Sequence, residues 1–129
     1  MTKRMISGVG VDIVQVAAIA ESIEHYGKDY LERVFTQGEI AYCGSVSSSM
    51  QRYAARVAAK EAAMKALATG WDSGVEWVDF EVKNEKSGEP KLCAHGRAAE
   101  LLQRRGINRM WVSLSHRPDY AIAQVIFEQ

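Results

Sequence analysis

The stretch from Tyr53 to Gly70, YAARVAAKEAAMKALATG, leaves this chain little conformational choice. Eight of the fifteen residues from Ala54 to Ala68 are alanine, the best helix former, and the Lys, Glu, Arg, Met and Leu among them follow closely. The stretch predicts one long helix. Ser48 and Gln51 have the spacing of a capping box at its start, and Gly70 supplies a C′ stop. At roughly 100° per residue, Tyr53, Val57, Met64 and Leu67 form an apolar stripe. Ala55, Ala58, Ala59, Ala62 and Ala66 form a smooth second face that lets another backbone come close. Glu61 and Lys65 stand one turn apart on a third face, and taken alone they read as a surface ion pair. Arg56 and Lys60 fall near the apolar stripe, so their stems are expected to pack while their heads reach solvent.

The chain of 129 residues is expected to form a single domain, 1–129. Its 16 basic and 16 acidic residues cancel, which argues against a general nucleic-acid binder. Cys43 and Cys93 lack paired-ligand spacing and read as free thiols of a reduced, cytoplasmic protein. No apolar run has the length of a membrane span, and the N-terminal MTKRMISGVG has no signal-peptide core.

Met5 to Val14 reads as a strand with Val9, Val11 and Ile13 on one face and Gly8, Gly10 and Asp12 on the other. Two glycines on one face permit close approach of a ligand or another backbone. Asp12, taken alone, is equally an N-cap or turn carboxylate for the next helix. Gln15 to Tyr26 is an amphipathic helix with Val16, Ile19, Ala20 and Ile23 inward, ended by Gly27. Thr36 and Glu39 form a capping box, flanked by a Phe35–Ile40 hydrophobic staple, so Glu39 is assigned to structure. Val75 to Asn84 alternates like a strand, Glu85 to Gly88 is a turn, and Pro90 to Cys93 returns beside it. Arg97 to Arg105 is a short helix. Arg109 to His116 and Tyr120 to Phe127 form a second hairpin about Arg117-Pro118-Asp119. The order predicts an α+β fold, a mainly antiparallel sheet packed against a long central helix.

Asp12 and Glu61 offer two hard carboxylates. Such a small set suits Mg²⁺, which keeps waters and shares substrate phosphates. Arg56, Lys60, Lys65 and Arg117 are basic groups able to neutralise phosphate, and His116 is a candidate phosphate donor. No P-loop or dinucleotide fingerprint is present. From spacing alone the chemistry reaches a Mg²⁺–phosphate site and no further.

GVGVDIV at 8–14, FTQGE at 35–39, ARVAAKEAAMKAL at 55–67, SGEP at 87–90 and VSLSHRPDYAIAQVI at 112–126 together resemble the holo-acyl-carrier-protein synthases, the short bacterial-type 4′-phosphopantetheinyl transferases. The resemblance runs in order over nearly the whole chain. It implies the 4′-phosphopantetheinyl transferase fold. The implied reaction is Mg²⁺-dependent transfer of the phosphopantetheine of coenzyme A to a serine of an acyl carrier protein, releasing adenosine 3′,5′-bisphosphate. Asp12 and Glu61 match the metal carboxylates, and Lys65 the lysine that contacts the phosphates; Glu61 and Lys65 are the implied catalytic residues. Arg56, Lys65, Gly88, Pro90, Ser115 and His116 match positions at the coenzyme A site, Arg56 and His116 near its 3′-phosphate and adenine. A homotrimer with sites between subunits is implied as well. The carrier serine needs a base, and a metal-bound water and Glu61 acting through water both suit. The alternative reading is a non-catalytic coenzyme A-binding or assembly module. One departure stands out. Where the family often presents an arginine to the carrier from the first helix, this chain has Ala17 and Ala18, followed by Glu21 and Glu24, which leaves Lys28 or Arg33 as substitutes.

Overall fold

The structure, a computed structural model, describes residues 5–129; Lys3 and Arg4 of the N-terminal reading lie outside them. The elements run β1 (Ile6–Gln15), α1 (Val16–Tyr26), α2 (Lys28–Val34), α3 (Gln37–Gly44), α4 (Ser49–Leu67), β2 (Phe80–Asn84), β3 (Pro90–Ala94), α5 (Gly96–Arg104), β4 (Arg109–His116) and β5 (Tyr120–Glu128). The strands make two antiparallel sheets, one ordered β1-β5-β4 and one of β2 and β3.

The long helix is α4, and it is the floor of the molecule. Its alanines are buried from Ala54 to Ala66. One hydrophobic cluster gathers Met64 and Leu67 with Phe80, Val125 and Phe127, and a second gathers Tyr53 and Val57 with Val16, Ile19 and Phe35. The smooth alanine face receives β1. A Cβ built on Gly8 would collide with the carbonyl of Ala66, and one on Gly10 with the carbonyl of Ala62. Only glycine lets strand and helix backbones meet this closely. Asp12, next on the same strand face, is thereby carried to the helix.

Five details differ from the sequence reading. Ser48 is at the N-cap of α4 but makes no side-chain cap bond. Gln51 turns its amide to His116 instead, Oε1 to Nδ1 2.8 Å. The helix stops before Gly70, at Ala68, a residue in the left-handed region (φ 56°) with its N–H on the carbonyls of Met64 and Lys65. The expected strand from Val75 starts only at Phe80, because Glu76 and Asp79 form a reciprocal capping box around a 3₁₀ turn over Trp77–Asp79. The heads of Arg56 and Lys60 do not reach solvent: both residues are buried. Helix α2 adds an element between Gly27 and Phe35 that the reading lacked.

The capping box at Thr36 and Glu39 is present, and it is half of a larger device. Glu39 Oε1 accepts from Thr36 N and from Lys60 Nζ at 2.8 Å, and its Oε2 accepts from Val82 N. Lys60 also donates to the carbonyls of Trp77 and Phe80. Both side chains are fully buried, and this fully bonded pair ties α3, α4 and β2 together.

Candidate active site

Strand β1 and helix α4 build the first cluster. Lys65 Nζ donates to Asp12 Oδ1 at 2.9 Å and to the carbonyl of Val11 at 3.0 Å. The lysine of the expected Glu61–Lys65 surface pair therefore has Asp12 as its partner. Asp12 caps no helix; the N-cap of α1 is Gln15. Glu61 is half-buried beside them. Burial raises its carboxyl above the usual range, the charge of Asp12 raises it further, and Lys65 offsets part of this. A carboxylate whose ionisation is opposed by burial and by a neighbouring carboxylate invites a cation. Their donor chemistry fits Mg²⁺, since both are hard oxygens in small number. Among the described residues no group of three or more His, Cys, Asp or Glu forms a closed metal cage.

The second cluster is a cleft of about 160 Å³ lined by Arg52, Ala55, Arg56, Asn84, Gly88, Pro90, Leu114 and His116. Four of the residues marked in the sequence, Arg56, Gly88, Pro90 and His116, meet here. Arg56 Nη2 donates to Asn84 Oδ1, and Asn84 Nδ2 donates to the carbonyl of Gly88 at 3.0 Å, so one amide joins helix and turn. Arg52 donates to the Tyr42 hydroxyl, and both guanidiniums lie over the Tyr42 ring. Each arginine keeps a buried Nε–H without an acceptor. Two arginines with unspent donors make an anion-binding cleft.

Arg52, Asn84 and Gln51 were missed as site residues. Arg52 is one turn before Arg56 on the same helix face, and that spacing was a usable signal. Asn84 and Gln51 are placed by the β2–β3 register and by α4 meeting β4, which nothing local announces. Lys60 leaves the set of free phosphate ligands, because Glu39 holds it. Arg117 is exposed in the β4–β5 turn.

Ser115 is not in the Arg56 cleft. It neighbours His116 on β4, so it points to the opposite face of the sheet. There it lines a shallow cleft with Val11, Ser113, Ile122 and Gln124. That outer face is apolar and open: Val9 is 53%, Val11 52% and Ile13 61% exposed, with Trp111 and Ile122 beside them. Arg56 and Glu61 are about 140° apart around α4, so the anion cleft and the carboxylate pair face different flanks of one chain.

The sequence profile of the 4′-phosphopantetheinyl transferase superfamily matches residues 8–125. A holo-[acyl-carrier-protein] synthase of Koribacter versatilis is 50% identical over 124 residues, covering 96% of this chain and 99% of that one. The crystal structure of the Neisseria meningitidis synthase superposes with a TM-score of 0.88 at 29% identity, covering 97% of this chain and all of that one. A Bacillus anthracis synthase in complex with CoA (3′,5′-ADP) superposes with a TM-score of 0.80 at 31% identity over 97% of this chain and 98% of that one. The chain and these synthases thus match in sequence, length and backbone. The chain belongs to the holo-[acyl-carrier-protein] synthase family of 4′-phosphopantetheinyl transferases and is an enzyme.

Proposed function

We propose that this enzyme, acting as one unit over residues 1–129 in the cytoplasm, moves the 4′-phosphopantetheine of coenzyme A to a serine of an apo-acyl carrier protein. Adenosine 3′,5′-bisphosphate is the second product. The observation that carries the reading is the pairing of two half-sites on α4: the Asp12–Glu61–Lys65 cluster and the Arg56 cleft with its unspent donors.

Asp12 and Glu61 would hold Mg²⁺, which would supply positive charge against the pyrophosphate oxygens. Lys65 adds a positive charge beside the same oxygens. Arg56 grips the 3′-phosphate end, with Gly88 and Pro90 walling the adenine. The carrier serine Oγ forms a bond to the β-phosphorus while the pyrophosphate bridge breaks. Glu61 accepts the serine proton through water.

The two half-sites of one chain do not face each other, and the outer sheet face that carries Ser115 is apolar and uncovered. A homotrimer accounts for both, with the carboxylates of one subunit completing the Arg56 cleft of the next. Each site would then gain Ser115 as the covered face is brought against its neighbour.

The test is product release. Incubating the enzyme with coenzyme A and an apo carrier should release adenosine 3′,5′-bisphosphate in step with carrier modification, and EDTA should stop it. Release without carrier modification would make the protein a coenzyme A hydrolase and overturn the reading.

A further inference from the structure

Gln51 and His116 carry an inference that goes further into the anion cleft and rests on the functional reading above. Gln51 Oε1 lies 2.8 Å from His116 Nδ1. An amide oxygen only accepts, so Nδ1 carries the hydrogen. In the neutral ring the other nitrogen, Nε2, is then an acceptor. His116 shares the cleft with Arg52 and Arg56, both from α4. The turn side supplies Asn84, Gly88 and Pro90, none of which titrates. Across the sheet His116 faces Ala121 of β5.

We infer that Gln51 is a positioning residue that holds His116 as the Nδ1–H tautomer, so that Nε2 meets the 3′-phosphate of coenzyme A as an acceptor and binding takes up one proton. Burial and the nearby Arg52 charge both lower the affinity of His116 for a proton, so the ring is neutral in the free enzyme above neutral pH. A phosphate monoester is mostly dianionic there, its second pKa being about 6. A lone pair on Nε2 against a dianion is repulsive. A proton from the buffer forms the Nε2–H bond, and the imidazolium then donates to phosphate oxygen while keeping its Nδ1–H on Gln51. Coenzyme A binding therefore weakens as pH rises.

The experiment is calorimetric titration of coenzyme A and of 3′-dephospho-coenzyme A into the enzyme at pH 7.5, in buffers of different ionisation enthalpy. The expected result is uptake of roughly one proton with coenzyme A and almost none with the dephospho form. Two variants separate positioning from mere structure. Gln51→Glu places a carboxylate on Nδ1–H, keeps the ring charged before binding, and should cut the uptake several-fold while affinity holds or rises. The substitution is mild, since a carboxylate near the start of α4 suits the helix dipole. Gln51→Leu frees the ring and should weaken coenzyme A binding about tenfold with little change for the dephospho form. No proton uptake by the wild type, equal uptake with both ligands, or unchanged uptake in Gln51→Glu would each overturn the inference while coenzyme A binding itself stands. Failure of the wild type to bind coenzyme A would overturn the functional reading and this inference with it.

Discussion

Lys65 Nζ stands 2.9 Å from Asp12 Oδ1, joining the last turn of α4 to β1 across 53 residues of chain. The contact exists because Gly8 and Gly10 let the strand lie directly on the carbonyls of Ala66 and Ala62. Glu61 and Lys65 each precede one of those alanines. The backbone packing that builds the core therefore also fixes the distance between the two carboxylates, and fold and chemistry share one contact.

That contact makes Gly10→Ala a severe test. A methyl group in a strand ordinarily helps by reducing unfolded-state freedom. Here it meets a helix carbonyl that cannot swing aside, and we expect a loss of about 1–3 kcal/mol. Urea denaturation measures it, and transfer activity should fall with it through displaced Asp12. An unchanged urea midpoint would show that the close approach is not needed.

Metal should appear as stability before it appears as rate. Asp12 disfavours the charged form of Glu61, and a divalent cation bound between them would offset this. Mg²⁺ at a hundred times its Kd would add about 2.7 kcal/mol to folding stability. Thermal unfolding at pH 7.5 should show a higher Tm with Mg²⁺ in the wild type and none of that gain in Asp12→Asn. An equal gain in the variant would move the ion elsewhere.

The buried pair of Lys60 and Glu39 predicts a structural effect with no chemistry in it. Lys60→Met leaves the Glu39 carboxylate fully buried without its cation, a loss of about 3–5 kcal/mol. Lys60→Met combined with Glu39→Gln removes both charges and should recover part of that. Urea midpoints of the two variants decide it; a double variant worse than the single one would contradict the pairing.

Acid should act through Glu81. Burial pushes its carboxyl up, but hydrogen bonds with Thr36 and His95, together with the Lys83 charge, outweigh this and hold it below the usual 4.5. A carboxyl depressed in the folded state stabilises fully above its unfolded value, and the gain is lost as pH falls through the folded value. Stability of the wild type should therefore drop below pH 4.5, and Glu81→Gln, already lacking the charge, should drop less steeply. Parallel curves would remove Glu81 from the acid response.

Much of this was legible in residue patterns. Alanine spacing announced α4 and its smooth face, and paired glycines announced the strand that lies on it. Strand alternation placed β4 and β5 within a residue of their observed ends. What stayed hidden depended on partners distant in sequence. The heads of Arg56 and Lys60 were expected in solvent, yet Glu39, Asn84 and two backbone carbonyls from the β2 region enclose them. Gln51 looked like a cap and is a partner of His116, since a cap residue and a cleft residue have the same local signature. Asp79 broke the strand expected from Val75 by bonding to the backbone of Glu76, a competition that side-chain alternation does not reveal.

The most direct measurement is intact-mass spectrometry of an apo carrier protein incubated with coenzyme A and either the wild type or Glu61→Ala, with Mg²⁺ and with EDTA. The account predicts a gain of one phosphopantetheine by the carrier only with wild type and Mg²⁺, while Glu61→Ala remains folded and inactive. Full transfer by Glu61→Ala, or equal transfer in EDTA, would contradict the assignment of the carboxylate pair as the centre of the reaction.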